Sequence, residues 1–171
     1  MTRHSPFVAA LALTLVLSAC GKAQDKAAQT LAEKALEANY GKGVDVDIAD
    51  DGQTVTIQTE QGTLKQSSGD NVALPDGFPA DVTLPDDYKL TSVMTMGPAT
   101  SVVMQSPGSL SDVYAKIKAG QADQGWKETL SMQGADGSML GFEKGDRSLL
   151  VNLGNSEEAG VTVSLSLQTK Q

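Results

Sequence analysis

The hydrophobic pattern changes period several times along the chain, and each change predicts an element. Phe7 to Leu17 is an apolar run broken only by Thr14, behind the positive Arg3 and ahead of the small residues Ser18 and Ala19. It is too short to span a bilayer, which takes about 20 apolar residues. Its layout is that of a secretory signal, so residues 1–19 are expected to be removed. Residues 20–41 read as an anchor and an alanine-rich helix. Ala27, Ala28, Leu31, Ala32, Ala35 and Leu36 recur at three- and four-residue spacing among good helix formers, and Gly41 and Gly43 stop the pattern. A stripe made mostly of alanine buries little area, which suits a stalk or a lightly docked helix.

The period then becomes two. Val44, Val46 and Ile48 share one face, with Asp45 and Asp47 on the other. Asp50-Asp51-Gly52 predicts a hairpin turn, after which Val55 and Ile57 repeat the inward face. Gln61-Gly62 turns again before Thr63-Leu64-Lys65. Residues 42–66 thus form a small β-meander, which needs something to pack on. Ser67-Ser68-Gly69-Asp70-Asn71 reads as a flexible boundary opening a linker and proline-rich lead over 67–88. Pro75, Pro79 and Pro85 keep that lead extended, with Phe78, Val82 and Leu84 pinning it to the next domain.

From residue 89 to 171 the pattern predicts an α+β domain. Leu90, Met94 and Met96 alternate on one strand face, and Val102 and Met104 on the next. Ser109-Leu110-Ser111-Asp112 has helix-capping spacing, and Leu110, Val113, Tyr114 and Ile117 continue it as an amphipathic helix to about Gln124, with Gly125 as its stop. Gly120 weakens that helix by about 1 kcal/mol relative to alanine. Trp126, Leu130 and Met132 then alternate inward, as do Leu140 and Phe142, then Leu149, Val151 and Leu153. Val161, Val163, Leu165 and Leu167 form the cleanest period-two run. One apolar face per strand means an antiparallel sheet covered on one side. The expected architecture is two-layered, a sheet with one covering helix in the order β-β-α-β-β-β-β, preceded by the alanine-rich helix and the meander.

Charge and composition narrow the chemistry. The chain carries a net charge of -8, and loss of Arg3 with the signal makes it -9 (13 − 1 = 12 basic against 21 acidic). That balance opposes nucleic acid and electrostatic adhesion to anionic lipid. His4 is the one histidine and leaves with the signal; Cys20 is the one cysteine. Histidine- or cysteine-ligated zinc and Ser-His-Asp or Cys-His catalysis therefore lack their residues. No catalytic residue, metal ligand or cofactor is assigned, and the protein is not expected to be an enzyme. Asp45, Asp47, Asp50 and Asp51 fail the calcium-loop pattern because Ala49 stands where a ligand should. Asp86-Asp87 and Glu157-Glu158 are adjacent acids that point apart on an extended chain. Trp126 reads as core. Met94 and Met96, with Met104 opposite, could offer soft thioethers to Cu(I), but the packing reading is preferred.

Leu17-Ser18-Ala19-Cys20 resembles a bacterial lipobox. The resemblance implies a diacylglycerol on the Cys20 sulfur, cleavage between Ala19 and Cys20, and acylation of the new amino group. Two or more acyl chains make a lasting anchor where one does not. Gly21, rather than aspartate, implies sorting to the outer membrane, facing the periplasm, over the inner membrane. Tyr114, the helix around it and Gly125-Trp126 are similar to a group of uncharacterised envelope lipoproteins of gram-negative bacteria, over residues 74–169. Those pair a proline-rich lead with a strand-strand-helix-"GW"-strand domain, which implies a fold and a location. The expectation is a lipid-anchored, non-catalytic binding or structural protein with an envelope protein partner. The alternative is a periplasmic binder of Cu(I) or a small ligand through its methionines.

Overall fold

The computed structural model describes residues 44–49, 52–59, 62–156 and 160–170, with Thr30 and Lys34 as isolated helical positions. The signal, Cys20, most of the alanine-rich segment, Asp50, Asp51 and Glu157-Glu158 lie outside the described residues. The strands are β1 (Asp45–Ile48), β2 (Thr54–Thr59), β3 (Gly62–Ser68), β4 (Lys89–Met96) and β5 (Ala99–Ser106). Helix α1 (Leu110–Asp123) follows, then β6 (Lys127–Gln133), β7 (Gly137–Lys144), β8 (Arg147–Ser156) and β9 (Gly160–Thr169). All strands join one antiparallel sheet in the order β1-β2-β3-β4-β5-β9-β8-β7-β6. This is the α+β class expected, with α1 packed over β6 to β9.

The meander is not a separate layer. β3 pairs with β4, placing Leu64 opposite Met96 and Ser68 opposite Ser92. Ser67 and Ser68, expected to open a linker, are the last residues of β3. A lone meander leaves two open edges and little core, and joining β4 satisfies one ladder and continues the pleat.

Two bulges correct the expected faces. In β4, Leu90 opposes Met104 but Ser92 opposes Val103, so Thr91 is an extra residue. Its backbone carbonyl instead accepts from Gly69 N at 3.1 Å, and its hydroxyl donates to the Val103 carbonyl at 3.2 Å. One extra residue reverses the side-chain alternation beyond it. Leu90 and Val93 therefore face the core, while Met94 and Met96 face away, 37% and 57% exposed. They are not core residues. In β6, Glu128 opposes Phe142 and Leu130 opposes Gly141, leaving Thr129 extra. Met132 is consequently 59% exposed rather than inward. Ser131 takes the helix side, its hydroxyl 2.7 Å from the Tyr114 hydroxyl.

The core is built from cross-strand rows under α1. One runs Val102, Leu165, Val151, Leu140, all buried, and meets Leu110, Val113, Tyr114 and Ile117 from the helix. Ser109 caps α1, its hydroxyl accepting from Asp112 N at 3.1 Å. Gly120, unfavourable in a helix, is required by contact: a Cβ there would overlap the Thr83 side chain of the lead.

Candidate functional site

The proline-rich lead builds the wall of the candidate site. Val82 is buried in the core, and Val72, Leu74, Phe78 and Leu84 pack against it half-buried. Gln121 of α1, fully buried, donates from Nε2 to the Thr83 carbonyl at 3.0 Å and accepts from Thr83 N at 3.4 Å. Trp126 Nε1 donates to the Asp81 carbonyl at 2.7 Å. The Asp81 carboxylate accepts two bonds from Arg147, at 2.8 and 2.6 Å, and one from Lys144 at 2.6 Å. The Arg147 guanidinium also lies over the Trp126 ring, 4.9 Å from its centroid. The Arg147 and then the Lys144 hydrogen bonds hold the Asp81 carboxyl well below the usual carboxylate range. The same contact raises the Arg147 guanidinium. Trp126 is thus core, as expected, with its polar edge spent on the lead.

The coverage of the sheet's helix side changes from one end to the other. α1 covers β6 to β9, the lead covers part of β4 and β5, and neither closes over β2 and β3. There a cleft of about 610 Å³ opens between the sheet and residues 71–79. The cross-strand rows change character on entering it. Phe142, Leu149 and Leu167 under the helix are continued by Thr100, Thr95 and Lys65 on the cleft floor. Leu165, Val102 and Val93 are continued by Ser67 and Thr54, whose hydroxyls lie 2.9 Å apart. Asn71, Pro75, Asp76 and Phe78 form the facing wall.

Chemically this is a recess of hydroxyls, the Lys65 ammonium, the Gln53 and Asn71 amides and the Asp76 carboxylate beside the Phe78 ring. It can accept and donate hydrogen bonds to a polar chain and give it an apolar contact.

The residues singled out from sequence are dispersed. Cys20 lies outside the described residues. Met104 is buried on the helix side, while Met94 and Met96 face the other way, so the three thioethers do not converge. Asp45 and Asp47 are exposed on β1. Asp86 is exposed and pairs with Lys116. Among the described residues, no three histidine, cysteine or carboxylate side chains are grouped to hold a metal ion. Sequence reasoning missed Lys65, Thr95, Thr100 and Asn71, which are scattered hydrophilic residues with no common spacing. Asp81 had a faint signal, an acid set between Ala80 and Val82, but the lead also carries Asp76, Asp86 and Asp87, and nothing local singles out Asp81 among them. No family model, curated protein or solved structure matches the chain.

Proposed function

We propose that the protein is a lipid-anchored envelope lipoprotein, held at the periplasmic face of the outer membrane, that works by binding rather than catalysis. The observation that carries the binding reading is the cleft. Its floor is paired sheet and its wall is a strap fastened by Val82, Gln121 and the Asp81 ion pairs, so the recess is preformed. The anchor rests on Leu17-Ser18-Ala19-Cys20 and the periplasm-facing destination on Gly21. A mature charge of -9 leaves attachment to the lipid rather than to basic residues (13 − 1 = 12 basic against 21 acidic). The partner is an envelope protein presenting a polar extended segment to Lys65, Thr95 and Asn71.

Metabolic labelling with a fatty-acid probe tests the anchor. Wild type should take up label and Cys20→Ser should not; label persisting on the serine variant overturns it. Affinity capture of the intact lipidated protein tests the binding. A co-purifying envelope protein should be lost with Lys65→Glu plus Thr95→Lys, and retention by that variant removes the cleft from the account. For Cu(I), Met104 is buried on the opposite face from Met94 and Met96, so the three thioethers do not form one site. Neither wild type nor the Met94→Leu, Met96→Leu variant should hold the metal against a Cu(I) chelator. Stoichiometric binding lost in the variant would restore the copper reading.

A further inference from the structure

The main-chain hydrogen bonds of the lead are unevenly placed. Before it, Gly69 N donates to the Thr91 carbonyl at 3.1 Å. After Leu74, Phe78 N donates to the Pro75 carbonyl at 3.1 Å and Val82 N to the Pro79 carbonyl at 3.2 Å. Trp126 and Gln121 then hold the main chain of Asp81 and Thr83. Between these fastenings, no group among the described residues donates to or accepts from the main chain of Val72, Ala73 or Leu74. These three residues run extended. Leu74 precedes Pro75, which disfavours helical backbone. Burial alternates as in a strand, with Val72 and Leu74 half-buried against the core and Ala73 exposed. In that geometry the amides and carbonyls point sideways, at right angles to the side chains. All three residues line the cleft. They amount to about 10 Å of unpaired strand edge beside a preformed recess.

We propose that this edge takes the partner as an added strand: an extended peptide lies in the cleft, its main chain paired with Val72–Leu74. The proposal rests on the binding reading above and supplies its chemistry. Main-chain pairing provides the affinity and the floor the specificity. Every second side chain of the peptide meets Ser67, Thr95, Thr100 and Lys65, which selects polar residues at alternate positions. Lys65 and Asp76 are in no ion pair among the described residues, so both charges are open to the occupant. The edge is tied on both sides, at Gly69 and at Asp81 to Thr83, so little order has to be imposed on binding. A glycan would find the hydroxyls but does not carry donors and acceptors at strand spacing to match the edge.

The test uses the full chain with Cys20→Ser, so it is independent of lipidation. The probe is an acetylated, amidated hexapeptide of alternating serine and valine, followed by amide NMR and hydrogen exchange. At saturation it should shift the Lys65 and Thr95 signals. It should also slow exchange at least about tenfold either at Ala73 or at Val72 and Leu74 together, the period of a strand edge. N-methylation of the peptide at the serines or at the valines removes alternate donors. One of the two sets should abolish that protection and the other should leave it. No shift with the peptide, equal loss from both sets, or shifts with a neutral chitotriose in its place overturns the proposal. The binding reading is judged separately by the captured envelope protein. A partner lost with Lys65→Glu plus Thr95→Lys, but leaving the 72–74 amides unprotected in its complex, overturns strand addition and keeps the cleft.

Discussion

The two ends of the sheet are made of the same kind of strand and are stabilised differently. From β9 through β8 to β7, the helix-side rows are continuous branched and aromatic side chains, sealed by α1. Through β5 and β4 to β2, the same rows end in Thr100, Thr95 and Lys65 and, beyond the buried Val93, in Ser67 and Thr54, while Val55, Ile57 and Leu64 take the opposite face. The first end has one dry interface. The second has a wet cleft on the helix side and an apolar back. A sheet can thus carry stability at one end and a recess at the other without a change of topology, because the rows run unbroken from one to the other while their residues change from apolar to hydroxyl and lysine.

The contrast is tested most strongly in the dry end. Phe142→Ala should cost about 3–5 kcal/mol, read from urea denaturation, because the fully buried ring stands beside its cross-strand partner Leu149 in the core. A comparable loss from Thr100→Ala, in the same row but on the cleft floor, would break the distinction.

The fastening of the lead comes next. Asp81→Asn should cost about 1.5–3 kcal/mol, the range for hydrogen bonds to charged groups. The pH dependence has a definite sign. The folded carboxyl is held below its ordinary value by Arg147 and Lys144. Its contribution is therefore full above about pH 3.9, the unfolded value, and is lost as pH falls toward the folded one. The gap in denaturation midpoint between wild type and Asp81→Asn should shrink as the pH is taken from 6 to 2 (approximate bounds of the titration). A constant gap would remove the ion pairs from the account.

A smaller effect tests the contact between helix and lead. Gly120→Ala gains about 1 kcal/mol of helix propensity but drives a Cβ into Thr83. The net should be a destabilisation of about 1 kcal/mol, relieved when Thr83→Ala is added. A Gly120→Ala variant more stable than wild type would show that the lead gives way. The smallest change is expected at the exposed methionines. Met94→Leu and Met96→Leu should each move stability by less than about 0.5 kcal/mol, whereas Met104→Ala should cost about 2–5.

Period-two alternation was enough to recover the strands, and the spacing of Leu110, Val113, Tyr114 and Ile117 the helix with its Ser109 cap. Trp126 was legible as core because it opens an inward run behind the helix stop at Gly125. The outward turn of Met94, Met96 and Met132 was not legible. A bulge leaves no mark on composition, and its cause is a distant pairing: Thr91 is set aside by the register with β5 and the bond from Gly69. The cleft was invisible for a related reason. Its residues come from β2, β3, β4, β5 and the lead, and only strand pairing brings them to one floor. Local periodicity is a property of neighbours in the chain, so the sequence by itself determined which segments are strand or helix and the residue types available for chemistry. Register, bulge parity and the reach of α1 depend on contacts between distant segments, so the tertiary structure alone decided which face each methionine takes and where the sheet is left open.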